Sequence, residues 1–359
     1  MRTIFVSIAS YRDEELQRTV NSLYHAAKYP RRLRIGIVNQ QARGKHDDFS
    51  WLGDQVRVDN VHYRESQGAG WARKRAMELY NGEDYFFQID SHMLFEPDWD
   101  EKLYNMYCWA SCEEETDNIV LSQFAAPYDV FTDGSIYYPK GDKDYWDEPS
   151  WTSVVNTWAA VWAGNREKME DRTHPHPTHT ILAAILFTHG RFVKDIPYDD
   201  RISFMGEELC IALRAYTRGY KLYAPNEMVA YHHYKREECP KIWRDNIQGE
   251  RMWTEIEMNS QQVQKRVLLG EDEGIFGIGD YDKYLEYQKM IGIDFAKFYT
   301  EEIDRKVNMA LITTDTVFDE DFNMIEVSMS GYCTNGLHSQ CLAYDHCDCD
   351  CHEGDRSVK

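Results

Sequence analysis

Apolar residues along this chain come in short runs separated by turns. Residues 3–9, TIFVSIA, are of strand length and predict a buried strand. Beyond Asp13, the residues Leu16, Val20, Leu23 and Ala27 recur at three- and four-residue steps, which predicts a helix with one apolar face and Asp13 as its cap. Pro30 closes that helix and LRIGIVNQ (33–40) predicts a second strand. Strand, crossover helix and strand make the start of a parallel sheet. Residues 67–90 repeat the plan, with a glycine turn at 68–70, a helix from Trp71 to Tyr80, an Asn-Gly stop and a strand from Tyr85. Further on, Gly206 opens a helix and Gly219 ends it, and 241–298 are mostly helical with breaks from Gly270 to Gly279. The expected architecture is α/β with a mostly parallel sheet over 1–298, a helical C-terminal region within it, and an accessory tail over 299–359.

Composition narrows the function. Hydrophobic residues at 43% and aromatic residues at 14% supply a real core. The balance of 40 cationic against 61 acidic residues gives −21, which works against nucleic acid and anionic membrane as partners. Any phosphate is then handled locally, by a metal or a few arginines. The longest apolar run, ILAAILF (181–187), falls far short of the roughly 20 residues that span a bilayer. The N-terminus MRTIFVSIASYRDEEL reads as a first strand rather than a signal peptide. Nine cysteines without a secretion signal point to a reducing, cytoplasmic setting with largely free thiols. Neither G-x-G-x-x-G nor a P-loop follows a strand, so dinucleotide and P-loop readings lose their support. Tyr and Trp crowd residues 128–165, including Trp146, Trp151, Trp158 and Trp162, either as a core of large rings or as a surface that stacks on sugar or peptide.

Candidate chemistry begins where the Tyr85 strand ends, in YFFQIDSHMLFEPDWDEKL. In extended chain, residues two apart project to one side, so Asp90 and His92 point together while Ser91 faces away. A carboxylate and an imidazole converging on one point suit a divalent ion such as Mn²⁺; the plain alternative is a strand-ending turn. Ligands of open α/β sheets lie beyond the carboxyl ends of strands, where Ala9-Ser10-Tyr11 and Asp90-Ser91-His92 both fall. Three more features join them: a glycine turn leading to Arg73, the pair Glu207-Glu208 at a helix start, and YHHYKR (231–236). Together they make a nucleotide-sugar site, with metal ligands and cations for a diphosphate and a carboxylate for sugar or acceptor. His174, His176 and His179 form either a second metal cluster or a polar loop on the acceptor side.

FFQIDSHMLFEPDWD, QGAGWARKRA, FMGEELCIALRAYTRGYKLYAP, AYHHYKR, RVLLG (266–270) and IFGIGDYDKYLEYQKMIGIDF (275–295) resemble the cytoplasmic hydroxyproline polypeptide N-acetylglucosaminyltransferases, over about residues 2–298. The resemblance implies a GT-A fold with Asp-x-His in place of Asp-x-Asp, and transfer of GlcNAc from UDP-GlcNAc to a protein hydroxyl with retention. It implies that Asp90 and His92 ligate the metal, with His232 as third ligand and His233 its competitor. Arg73 then lies near the diphosphate, Ser7, Ala9, Ser10, Tyr11 and Arg12 belong to the uridine pocket, Ser91 and Arg236 border the nucleotide, and Glu207 and Glu208 sit near sugar and acceptor. The macrodipole at a helix start favours both glutamates ionised. Where the family carries proline and cysteine before Trp-Ala-Arg, this chain has Gly68-Ala69-Gly70, read as a looser turn.

The tail has no counterpart in that family. Cys333, Cys341, Cys347, Cys349 and Cys351 stand beside His338, His346 and His352, a density that favours Zn²⁺, although C-x-C-x-C-H is no standard knuckle and a thiol-rich unstructured tail is the alternative. Two other function classes compete with the transferase. A glycoside hydrolase needs two carboxylates flanking a sugar, whereas the strongest motif here is a metal pair. A non-catalytic binding protein would not need Asp90, His92, Glu207, Glu208 and His232 all in place.

Overall fold

The computed structural model describes residues 2–131, 134–137, 145–156, 159–168, 173–236, 239–245, 253–301, 317–318 and 324–325. The first half of the chain alternates strand and helix: β1 (Ile4–Tyr11), α1 (Leu16–Ala26), β2 (Leu33–Gln41), β3 (Val56–His62), α2 (Ala69–Glu78), β4 (Tyr85–Asp90), β5 (Met93–Phe95), α3 (Trp99–Glu113) and β6 (Ile119–Ser122). Short strands β7 (Ala126–Pro127), β8 (Asp129–Val130) and β9 (Ile136–Tyr137) lead to a long hairpin of β10 (Tyr145–Asn156) and β11 (Ala159–Lys168). Then come β12 (His176–Pro177), β13 (Ile185–His189), α4 (Phe192–Asp195), α5 (Glu207–Thr217), β14 (Lys221–Ala224) and β15 (Ala230–His232). Helices α6 (Ile242–Asp245), α7 (Trp253–Leu268), α8 (Tyr281–Ile291) and α9 (Phe295–Glu301) follow, broken by a turn at Gly274–Phe276 as the glycine pattern predicts.

Eight strands form the main sheet in the order β12-β14-β6-β13-β4-β1-β2-β3. β1 pairs in parallel with β2 and β4, and β2 in parallel with β3, while β13 runs antiparallel to both β4 and β6. A second sheet, β5-β15-β7, crosses beyond the end of β4 and brings His232 opposite Met93. The end of the apolar run at 181–187 thus enters β13, a reversed strand in the middle of the sheet, and β3, only partly buried at the edge, completes the other side.

Alternation along the strands builds two cores. Tyr85, Phe87 and Ile89 face α1 and α3, joining Val6, Ile8, Leu16, Val20, Leu23 and Leu103. Phe86 and Phe5 face the other way, onto Leu186, Leu209, Leu213 and the α7–α8 pair. Each fully buried side chain of this size stabilises by about 1.5–3 kcal/mol, so a one-residue slip of β4 would forfeit both faces at once. The same alternation puts Asp90, the last residue of β4, on the α2–α5 side, in register with Ala9.

The helix expected to begin near Asp13 is α1, and its apolar face is buried as anticipated at Leu16, Val20, Leu23 and Ala27. The glycine turn before α2 departs from expectation. Gly68 takes φ +114, and a Cβ there would stand 2.3 Å from the Ser203 carbonyl oxygen; one at Gly70 would stand 2.0 Å from that of Ile202. Gly70 N–H also donates to Ser203 O at 3.1 Å. The turn is a close backbone contact that only glycine permits, not a loose one. The side chains of Trp146, Trp151, Trp158 and Trp162, and the tail cluster Cys333, Cys341, Cys347, Cys349, Cys351 and His352, lie outside the described residues.

Candidate active site

The carboxyl ends of β1, β2 and β4 and the second sheet meet at one edge, and Asp90, His92 and His232 gather there. One potential ligand atom from each lies within 4.8 Å of the others, the one such group of three among the described residues. His232 Nε2 stands 3.3 Å from Asp90 Oδ2, and the rings of His232 and His92 meet edge-on with centroids 4.5 Å apart. His233 turns the opposite way, its ring 5.2 Å from that of Tyr128 and its N–H donating to the His92 carbonyl. Of the two neighbours, His232 is therefore the one brought to Asp90, as alternation along a strand requires.

The turn carrying His92 is fastened from α1. Thr19 Oγ1 donates to Ser91 O at 2.8 Å and accepts from Met93 N–H at 2.9 Å. Ser91 points away from Asp90, its hydroxyl donating to Asp13 Oδ2 at 2.6 Å. Burial, with the positive charge of Arg236 and the neighbouring His232, pushes His92 down to about 4, so the imidazole is neutral at ordinary pH and keeps a lone pair on one nitrogen. Asp90 is held well below the usual carboxylate range: burial opposes its charge, but the His232 hydrogen bond and the Arg73 guanidinium outweigh it.

Arg73, 7% exposed, bridges the site to α5. One terminal nitrogen donates to Asp90 Oδ1 at 2.9 Å and the other to Glu207 Oε1. Its guanidinium is thus engaged by carboxylates on both sides and lies 5.6 Å from the centre of the Tyr198 ring. Glu207 Oε2 is buried without a partner among the described residues. Glu208 Oε1 accepts from Ala183 N–H at 2.7 Å. The helix start was expected to keep both glutamates ionised; burial opposes this, raising Glu207 against the pull of Arg73, and together with the Glu207 charge it pushes Glu208 up to about 8. A macrodipole contributes roughly 0.3–1 kcal/mol at exposed ends, less than the cost of burying a carboxylate.

Along β1, Ser7 and Ser10 are buried with hydroxyls unpartnered among the described residues, and Ala9 sits beside Asp90. Tyr11 Oη donates to Asp245 Oδ2 at 2.8 Å and Arg12 Nη1 to the same oxygen at 2.6 Å, tying the end of β1 to α6. Arg236 lies against His92, its Nη1 2.7 Å from Nδ1 and 2.9 Å from Nε2. Asp13 was read only as a helix cap. The N-cap of α1 is instead Glu15; Asp13 accepts from Glu15 N–H at 3.0 Å in the turn before the helix, and its other oxygen meets Ser91, His92 and Arg236. A charged residue two positions past a strand end was the only signal available, since its partner His92 is 79 residues away.

The other histidine group does not converge. His174 stacks flat on Trp109 with centroids 4.8 Å apart, His176 pairs with Ala224 at a sheet edge, and the His179 carbonyl accepts from Tyr287. Cys108, Cys112, Cys210 and Cys239 are free thiols, and no helix among the described residues is long and apolar enough to cross a membrane.

One carboxylate and two imidazoles suit a borderline divalent ion. Adjacent ligands on an octahedral ion sit roughly 3 Å apart at metal–ligand distances of about 2.1 Å, close to the Asp90–His232 spacing of 3.3 Å. His232 Nδ1 is buried without a partner among the described residues. The residues present fit such an ion.

Comparison with known proteins places this geometry in context. A crystal structure of GalNAc-T7 with UDP, GalNAc and Mn²⁺ superposes with a TM-score of 0.51 at 15% identity, covering 84% of this chain. The chain spans 57% of that protein's length, and the likeness is one of fold. S. aureus TarS aligns with a TM-score of 0.42 at 12% identity over 87% of this chain and 85% of its own. No curated protein matches the sequence. The fold is that of GT-A glycosyltransferases, mixed α/β with a mostly parallel sheet. The family model described as Glycosyltransferase (GlcNAc) matches residues 3–50 and 41–300, which run from β1 into α9, and the chain belongs to that family.

Proposed function

We propose that this chain is a divalent-metal-dependent glycosyltransferase that moves GlcNAc from UDP-GlcNAc to a hydroxyl of a polypeptide, with retention at the anomeric carbon. The observation that carries the reading is the convergence of Asp90, His92 and His232 at the carboxyl edge of the sheet in a chain of this family. These three residues would hold an ion such as Mn²⁺, which when bound neutralises charge developing on the departing diphosphate. Arg73 fixes Asp90 and Glu207 relative to one another through its two ion pairs. The unpartnered Glu207 Oε2 is placed to accept a hydrogen bond from a sugar or acceptor hydroxyl. Ser7, Ala9, Ser10, Tyr11 and Arg12 run to the end of the strand beside Asp90 and form part of the uridine pocket, with Ser91 and Arg236 at its metal side. Residues 1–298 are the catalytic domain and 299–359 an accessory segment.

Retention needs no dedicated base when the leaving phosphate takes the acceptor proton, and this leaves Glu207 and Glu208 to bind and orient. The test is UDP release with Mn²⁺ across UDP-GlcNAc, UDP-GalNAc and UDP-Glc, with and without a peptide acceptor. Turnover of UDP-GlcNAc is expected. The crystal structure of GalNAc-T7 was determined with GalNAc, which makes UDP-GalNAc the rival donor; turnover of that donor alone would overturn the choice of GlcNAc. Release from no nucleotide sugar would overturn the transferase reading itself.

A further inference from the structure

Asp13 stands outside every motif that defines the site, yet it is 1% exposed and sits directly behind it. Arg12, with φ +48, turns the chain sharply after β1 and delivers Asp13 beneath the Ser91–His92 turn. Its two oxygens collect four donors: Glu15 N–H on Oδ1 at 3.0 Å, and Ser91 Oγ at 2.6 Å, His92 Nδ1 at 2.8 Å and Arg236 Nη2 at 2.9 Å on Oδ2. With these donors gathered on both oxygens, the carboxylate is placed as an acceptor.

Arg236 Nη1 lies within reach of both ring nitrogens, 2.7 Å from Nδ1 and 2.9 Å from Nε2, whereas Asp13 reaches Nδ1 alone; a proton on Nδ1 satisfies Asp13 and leaves the lone pair on Nε2 for Arg236. We propose that Asp13 is a positioning residue: it locks His92 in the Nδ1–H tautomer, so that the lone pair lies on Nε2, where Arg236 Nη1 stands 2.9 Å away and gives way when a divalent cation binds, and it holds Arg236 beside the same ring. Ligating imidazoles are commonly oriented by a carboxylate on the second nitrogen, and loss of that partner costs about 10–100-fold in metal affinity. Here the partner comes from the loop between β1 and α1, so the same carboxylate joins the end of β1, the turn after β4 and the segment after β15. The cation part of the inference rests on the metal reading given above; the tautomer part does not.

Two measurements on the full chain test it, and neither uses a sugar donor. Nitrogen-15 NMR of the metal-free protein, with His92 assigned by its loss in His92→Gln, should show the Nδ1–H tautomer in the wild type and a mixture in Asp13→Asn. Titration with Mn²⁺ alone, followed by the paramagnetic resonance of the free ion, should give an affinity about 10–100-fold weaker in Asp13→Asn. Ser22→Ala removes another α1 hydroxyl that holds this segment, at Phe95 N–H, and should leave tautomer and affinity within twofold of wild type. A proton on Nε2 in the wild type, no Mn²⁺ binding by the wild type, or unchanged affinity in Asp13→Asn would each overturn the proposal. If Asp13→Asn does not fold, the wild-type tautomer decides alone. A chain that binds Mn²⁺ as described but turns over no UDP-sugar would keep this inference and lose the transferase reading.

Discussion

Replacing Arg73 by Met tests how the site is held together. The substitution keeps most of the side-chain volume beside Tyr198 but removes the one cation between Asp90 and Glu207. Breaking a buried pair by removing one partner costs about 3–5 kcal/mol, because the remaining charge is left uncompensated. Glu207 is raised by burial even with Arg73 opposite, and without the guanidinium it is pushed further towards the protonated form. A group whose folded-state pKa is raised contributes stability that is present at low pH and is lost as pH climbs through the folded value. The deficit of Arg73→Met relative to wild type should therefore be largest at pH 8 and shrink towards pH 5. Arg73→Lys should fall between, since a single ammonium cannot reach both carboxylates as the planar fork does. Urea denaturation followed by tryptophan fluorescence at a series of pH values measures this. A variant within about 0.5 kcal/mol of wild type at pH 8, the range of ordinary surface changes, would refute the claim that Arg73 balances two buried carboxylates.

Other consequences follow from the same geometry. Asp90→Asn removes a ligand charge at nearly constant volume, so Mn²⁺-dependent UDP release should fall by at least 100-fold, the scale seen when a single electrostatic contact to developing charge is lost, while the protein still folds, because Arg73 keeps Glu207 as its partner; wild-type turnover would make Asp90-Ser91-His92 only a turn. Glu208, pushed up to about 8 by burial and Glu207, should cost the wild type stability as pH rises from about 5 to 8, and Glu208→Gln should flatten that slope in the same denaturation series. Gly70→Ala gains about 1 kcal/mol of helix propensity but drives a Cβ into the Ile202 carbonyl, so a net loss of about 1–2 kcal/mol is expected by thermal denaturation; a stabilised variant would show the turn to be loose after all.

The parts of this molecule that declare themselves locally were readable from the chain. The β1 and β4 runs, the apolar stripe of α1 and the stretch from Gly206 to Gly219 each obey one period or one turn rule, and each lies within two residues of where it was placed. Asp90 and His92 were legible because two-residue spacing at a strand end has only one geometric outcome. What escaped depends on partners distant in sequence. β3, with its half-exposed edge pattern, lacks the apolar run that marks an inner strand, and the reversal of β13 is fixed by its two neighbours rather than by its own residues. The closeness of the Gly68–Gly70 turn is set by residues 202–203, more than 130 positions on. The charge state of Glu208 was misjudged because its burial is a property of the assembled fold, which a helix-start rule does not contain.

Thr19 carries a further consequence. One hydroxyl on α1 both donates to and accepts from the backbone on either side of His92, so the helix and the candidate metal ligand open together or not at all. Binding at the edge of the sheet is then thermodynamically linked to the docking of α1: an ion at 100 times its dissociation constant would lower the opening of this helix by about 2.7 kcal/mol. Amide hydrogen exchange across residues 16–26 should slow accordingly when Mn²⁺ is added, while exchange in α8, packed on the opposite face of the sheet, should stay as it was. The first helix of the chain thereby becomes a reporter of site occupancy, readable without any substrate.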